Sequence, residues 1–530
     1  MYRKLLCCLL VVVMVFVSGG ARLVLPVEAD ALSAEKNVPT DASASKRDFT
    51  DSEVLVAMTH EESLKFTKYT AADFAEIGCA SVQDLSSAKA EKVQKVLRGE
   101  KLAEDSIGAA FMNKNINVDT FHRILSLKLA EPGKENVLRA VDLLNQREDV
   151  YIAEPNYIIQ MDRAIVPEEP PAPDNNPLYG WAAEKINQED AWEIEDGSAI
   201  VWVGVVDSGI DVSHPELSGK VSSNYSRNFA SDNLSPLTDL EGHGTHVAGI
   251  IAAKHNADSL NFSGVCQDVT LISLRVFNSQ GRSSWDVVAE ALQYAEDNYI
   301  PILNISMQTW FSNYTYSLPD CILHNYDGLV IGAAGNSGSD LDEKLAEHPY
   351  QLPGEWNADT NIIVGASTQT DGKLSGSNYG LSTVDLFAPG DTILSCYPLS
   401  LCSATNCTAE GHVAYGYHKM SGTSMAAPFV TGVAALILAH RPSIALADIK
   451  AVIIDSVYEV NSLSRYCITG GVLDAHEALS KKAIHIVGDY AWRNSTTHWV
   501  YSDCGNVAWT ERHEIHPGLG ICLYCRGTGQ

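Results

Sequence analysis

From residue 200 to 440 the sequence alternates short β-branched runs with helical patterns, and this rhythm restricts the possible folds more than any other feature. Residues 200–206, 269–276, 302–306, 329–333 and 362–364 are compact apolar runs, and 243–253, 285–298 and 424–440 carry helical spacing between them. Strands apolar on both sides, separated by helices, predict a parallel sheet covered on both faces. Residues 445–457 and 472–479 predict two closing helices, and no internal repeat is visible.

Three segments of this region carry chemistry. Val205-Val206-Asp207-Ser208-Gly209 ends a buried strand on a carboxylate, and Gly242-His243-Gly244-Thr245-His246 opens a helix on a histidine. Ser421-Gly422-Thr423-Ser424-Met425-Ala426-Ala427-Pro428 opens another on a serine. Strand ends and helix starts are where open α/β sheets build their sites. A serine hydroxyl becomes a useful nucleophile when a neutral imidazole takes its proton and a carboxylate holds that imidazole in one tautomer. A helix N-terminus adds backbone N–H groups and a positive dipole end beside the developing oxyanion. Taken singly, Asp207 reads as a turn former, His243 as a helix-start residue and Ser424 as an N-cap. Three extended runs together favour the catalytic set.

In the order Asp, His, Ser, these runs resemble the subtilisin-like serine proteases (subtilases, peptidase family S8) over roughly residues 175–479. The resemblance implies a doubly wound parallel α/β sheet, with Ser424 as nucleophile, His243 as general base and then acid, and Asp207 as the orienting carboxylate. Gly332-Ala333-Ala334-Gly335-Asn336 is similar to the segment bearing the family's oxyanion asparagine, here Asn336, which otherwise reads as a turn residue. The resemblance also implies structural calcium. Glu216 matches a carboxylate of that site, and the loop 254–263 keeps Asn256, Asp258 and Asn261 without the usual asparagine-rich run, so a solvated polar loop is the alternative. A second departure is Ser306-Met307-Gln308-Thr309-Trp310, bulky where the family has glycines, which predicts a reshaped primary pocket. No cofactor is expected for catalysis.

The flanks suggest a precursor. Residues 1–31 have the layout of a secretory signal, with Arg3-Lys4 before an uncharged apolar run over 5–17. Residues 32–51 read as a disordered lead-in. Residues 52–162 mix strands (53–58, 121–129, 150–159) with a short helix at 71–77 and a helix at 135–145 whose apolar face is Val137, Leu138, Val141 and Leu144. That predicts a small α/β sandwich, and the ending Glu154-Pro155-Asn156-Tyr157 is similar to the end of the family's inhibitory prodomain. The Pro-rich stretch 163–177 is the linker, and 178–483 the catalytic domain. Residues 484–530 form a Cys/His-rich module in which Cys504, His513, Cys522 and Cys525 suit one tetrahedral zinc or a disulfide framework.

The net charge of -29 argues against nucleic acid and an anionic membrane as partners. The expected partners are a protein or peptide substrate and the chain's own prodomain, with the chain itself a secreted, extracellular monomer. The rival class is a catalytically silent binding protein on the same fold; a narrower variant is a dedicated processing protease for one exported partner.

Overall fold

The computed structural model describes residues 48–102, 104–113, 116, 118–161, 180–255, 263–307, 318–346, 361–401, 412–414, 416–481, 498–501 and 507–511. The signal, most of the lead-in, the linker 163–177, Asn256, Asp258, Asn261, residues 308–310 and the zinc candidates Cys504, His513, Cys522 and Cys525 lie outside them.

The N-terminal unit is an antiparallel sheet of β1 (Phe49–Met58), β2 (Cys79–Asp84), β3 (Ile124–Leu129) and β4 (Val150–Gln160), in the order β2-β3-β1-β4. The longest helices that accompany it are α1 (Ser87–Leu97) and α2 (Lys134–Leu144). Residues 71–77 form a 3₁₀ helix rather than an α-helix. In α2 the buried residues are Val137, Ala140, Val141 and Leu144, whereas Leu138 is 41% exposed. The helix packs on β1 and β4 with Ala140, in place of the predicted Leu138, on its buried face.

The second unit is built on a sheet whose inner strands are β5 (Gly197–Asp207), β7 (Asp268–Arg275), β9 (Ile302–Ile305), β10 (Leu329–Ala333), β11 (Asn361–Ser367) and β12 (Leu386–Pro389). With β6 (Arg227–Asn228) at one edge and β16 (Tyr458–Glu459) and β17 (Gly471–Val472) at the other, the order is β16-β17-β12-β11-β10-β9-β5-β7-β6. All pairings are parallel except β16 with β17. The fold is therefore a mixed, mainly parallel sheet, wrapped by α3 (His243–Ala252), α4 (Trp285–Asp297), α5 (Leu318–His324), α6 (Thr423–His440), α7 (Leu446–Asp455) and α8 (Ala475–Ser480). The predicted helix over 472–479 is shorter at its start: Val472 pairs with Phe387 in the sheet, and Asp474 caps α8 by accepting the Glu477 N–H at 2.9 Å. A short strand β8 (Arg282–Ser284) runs into α4, and β13 (Ile393–Cys396), β14 (His412–Ala414) and β15 (Tyr417–Met420) form a small antiparallel sheet.

α6 is long and apolar enough to cross a membrane, but 89% of it is buried and it is the central core helix, packed across β5, β9, β10 and β11. The two units join through β4 and β8, which pair antiparallel with Ile158 opposite Ser284 and Gln160 opposite Arg282. The remaining described strands, β18 (His498–Tyr501) and β19 (Val507–Glu511), form an antiparallel pair.

Candidate active site

The neighbouring parallel strands β5, β9 and β10 deliver Asp207, Ser306 and Asn336 at or just beyond their carboxyl ends. Asp207 closes β5, is 1% exposed, and accepts the Ser208 N–H at 2.7 Å. His243 opens α3 with its Nδ1 2.9 Å from each oxygen of Asp207. The carboxylate thus fixes the hydrogen on Nδ1, leaving Nε2 as the basic nitrogen.

Close approach of two backbones makes this contact possible. A Cβ on Gly244 would lie 2.2 Å from the Gly209 carbonyl oxygen and 3.1 Å from the Asp207 Cβ, so only glycine lets the helix start sit on the Asp207 loop. Gly242 has φ +87°, with the Tyr397 ring against it, and any larger residue there is both strained and blocked.

Sequence reasoning missed the group that ties these pieces together. Asp239 is buried, and its carboxylate accepts from the backbone N–H of Glu241, Gly242 and Thr245, from the Thr245 hydroxyl and from the Ser208 hydroxyl. Ser208 Oγ in turn accepts the Gly244 N–H at 3.0 Å. The N–H groups of Gly242, Gly244 and Thr245 at the start of α3 are thereby satisfied and linked to the residue after Asp207. Burial pushes the Asp239 carboxyl up, opposed by these hydrogen bonds. A carboxylate four residues before the histidine, at a helix start, was the available signal. Arg275, fully buried at the end of β7, donates its Nε–H to the Ser208 carbonyl at 2.9 Å and holds the Asp232 carboxyl far below the usual range.

Ser424 is the second residue of α6 and is buried. Pro428 lacks the N–H that would bond the Ser424 carbonyl, and the Ser306 hydroxyl donates to that carbonyl instead, at 3.0 Å. Asn304 Nδ2 donates to Ser306 Oγ at 2.9 Å, and Thr431 Oγ1 donates to Asn304 Oδ1 at 2.9 Å. The Ser424 hydroxyl donates to the Ser306 carbonyl at 3.4 Å. Asn336 is partly exposed, and its Oδ1 accepts from the Thr423 N–H at 2.9 Å and the Thr423 hydroxyl at 3.1 Å. With the oxygen so engaged, the amide presents its N–H₂ on the other side.

His246 is fully buried and donates Nε2–H to the carbonyls of Ile393 and His418 at 3.1 and 3.0 Å. Burial, helped by His418 and His243, pushes it down to about 3, so it is a neutral structural imidazole. Asp211 Oδ2 accepts the Leu399 N–H at 3.0 Å and His214 Nε2 donates to the Gly416 carbonyl at 2.7 Å, pinning the chain between β13 and β15 to the Asp207 loop.

Glu216, of the four calcium candidates, lies among the described residues; it is buried and accepts the Tyr417 hydroxyl at 2.9 Å. Among the described residues no three His, Cys, Asp or Glu side chains cluster to hold a metal ion. Cys79, Cys266, Cys396 and Cys467 are thiols, and burial pushes Cys396 well up.

Comparison with known proteins agrees with this architecture. The subtilase family profile, Peptidase_S8, matches residues 198–478. Thermitase of Thermoactinomyces vulgaris is 32% identical over 309 residues, which are 58% of this chain and 98% of thermitase. The thermophilic serine proteinase of Bacillus sp. (strain AK1) is 31% identical over 358 residues, 67% of this chain and 76% of the relative. The crystal structure of fervidolysin from Fervidobacterium pennivorans, a keratinolytic enzyme related to subtilisin, superposes with a TM-score of 0.53 at 22% identity, covering 81% of this chain and 61% of that one, a likeness of fold. The chain belongs to the subtilase family. It is a serine endopeptidase, hydrolysing peptide bonds within protein substrates.

Proposed function

We propose that the chain is a secreted preproenzyme that cuts peptide bonds through an acyl-enzyme on Ser424, His243 and Asp207. The observation that carries this reading is the pair of 2.9 Å contacts from His243 Nδ1 to Asp207 at the sheet edge that also bears Ser306, the partner of Ser424. In the reaction the Ser424 hydroxyl leaves the Ser306 carbonyl, gives its proton to His243 Nε2, and Oγ bonds the scissile carbonyl carbon. The carbonyl oxygen takes up the electron pair and is met by the Asn336 amide N–H and the Ser424 backbone N–H. The imidazolium, held by Asp207, passes its proton to the leaving amine as the C–N bond breaks. Water, deprotonated by the same imidazole, then releases the acid and restores the serine. Calcium at Glu216 and the 256–261 loop would have a structural part only.

Residues 52–162 are the inhibitory prodomain in this reading, separated by cleavage within 160–176. Support comes from the antiparallel pairing of Ile158–Gln160 with Arg282–Ser284 and from the Met161 N–H, which donates to the Gly281 carbonyl at 2.8 Å. These contacts lead the tail along the catalytic unit as an extended peptide would run. The narrower role, a dedicated processing protease for one exported partner, would rest on the bulky run Met307-Gln308-Thr309-Trp310.

The test is labelling with a serine-directed phosphonate followed by mapping of the adduct. Modification of Ser424 in wild type, and an inactive, uncut but folded Ser424→Ala chain, are expected. An unlabelled, inactive wild type would favour the silent binding protein.

A further inference from the structure

The helix α1 carries Lys89, Lys92 and Lys95, and two of these lysines are out of water. Lys89 and Asp327 form an ion pair in which the side chains are 1% and 2% exposed. Lys92 Nζ lies 2.6 Å from Glu296 Oε1, donates to the Glu296 backbone carbonyl at 2.8 Å, and sits 4.1 Å above the Tyr299 ring. The two acids are themselves joined, since the Asp327 N–H donates to Glu296 Oε2 at 3.0 Å. Around the pair, the Ser87 N–H and hydroxyl exchange hydrogen bonds with the Gln293 amide at 2.9 and 3.0 Å.

Lysines this deeply buried occur only when paired. An i,i+3 spacing places both on one face of α1, matched to two carboxylates at the C-terminal end of α4 and the turn after α5. Lys92 also meets the negative end of the α4 dipole. Such pairs add little net binding compared with apolar contacts of the same shape, yet losing one partner strands a charge in the interface. Their effect is therefore selectivity. A helix lacking cations at these two positions leaves Glu296 and Asp327 desolvated and side by side.

We propose that Glu296, Asp327 and Tyr299 form a docking site for a Lys-x-x-Lys helix face, occupied by Lys89 and Lys92 of the chain's own N-terminal unit, and that this site retains the unit after the linker is cut. The inference rests on the prodomain reading for its biological use, but the contact can be tested apart from it.

The experiment uses the full chain as Ser424→Ala, with a site for an exogenous protease placed within residues 163–177. After cutting, dissociation of the N-terminal unit is followed by size exclusion over a concentration series. Lys89→Met with Lys92→Met is expected to weaken retention by roughly a hundredfold or more. Adding Glu296→Gln and Asp327→Asn to that chain, which makes both sides neutral, is expected to restore it and shows that the Met variant folds. Lys95→Met, on a half-exposed position of the same helix where the lysine pairs with Glu91, is expected to leave retention unchanged. Unchanged retention in the Met pair, or none restored in the fourfold variant, overturns the clamp. A wild-type chain that never cuts itself between 160 and 176 overturns the maturation reading instead.

Discussion

The Ser306 hydroxyl and the Ser424 carbonyl are 3.0 Å apart because Pro428 removes the helical donor that would otherwise occupy that carbonyl. The backbone of Ser424 is thus held from the neighbouring strand β9 rather than from its own helix. Ser306→Ala is expected to cost about 1–3 kcal/mol of stability by stranding a buried acceptor, and to lower kcat more than it raises KM. In a Pro428→Ala background, where the helix supplies an N–H, the same change should cost less. Urea unfolding across the four chains in a Ser424→Ala background, with kcat measured in Ser424 chains, tests the coupling. Additive losses would show that Ser306 acts on Ser424 by no such substitution.

In the proposed mechanism the Asn336 N–H donor acts on charge that develops in the transition state, so Asn336→Ala is expected to lower kcat by roughly a hundredfold or more with little change in KM. Steady-state kinetics on a peptide substrate decide the point. A raised KM at constant kcat would assign Asn336 to ground-state binding.

Asp239→Ala should lower stability by about 3 kcal/mol or more, since three backbone N–H groups lose a buried acceptor worth ~1–3 kcal/mol each. Because those donors belong to the start of α3, kcat should fall along with stability. Denaturation midpoints and turnover, measured on the same variant, check this. A stable variant with full turnover would mean that water or Ser208 takes over the donors.

His246 predicts a pH dependence with a definite sign. Its ring stays neutral in the fold down to about 3, against an ordinary 6.5. The unfolded chain takes up a proton there below 6.5, so this residue's contribution is full above that pH. It then declines by ~1.4 kcal/mol per pH unit as pH falls toward 3. His246→Gln should flatten the acid limb of the stability curve. Unfolding measured between pH 4 and 7 in both chains (range set by about the pKa window) would disprove the assignment if the two slopes match.

Much of the site was legible because its parts are local. A carboxylate ending an apolar run, a histidine between glycines and a serine opening an apolar helix each report a strand end or a helix start without knowledge of the rest of the chain. The N-terminal unit was less legible. Neither the strand Cys79–Asp84 nor the helix Ser87–Leu97 stands out, since the helix is rich in lysine and reads as a solvated face. Leu138 shows the converse error, an apolar residue at the right helical spacing that the fold leaves outside.

By itself the sequence determined the alternation of strands and helices, and the residue types standing at their ends, because both depend on neighbours within a few positions. Only the tertiary structure decided which of those ends share an edge, with β9 laid beside β5 and β10 beside β9 so that Asp207, Ser306 and Asn336 follow one another along the same carboxyl edge. It likewise decided that Asp239 satisfies a helix start, and that Lys89 and Lys92 are buried against acids 238 and 204 residues away. The physical reason is common to these cases. The environment of a polar side chain is set by whichever partner the fold brings to it, and desolvation can turn the same lysine or carboxylate from a solvated surface group into a buried, paired one.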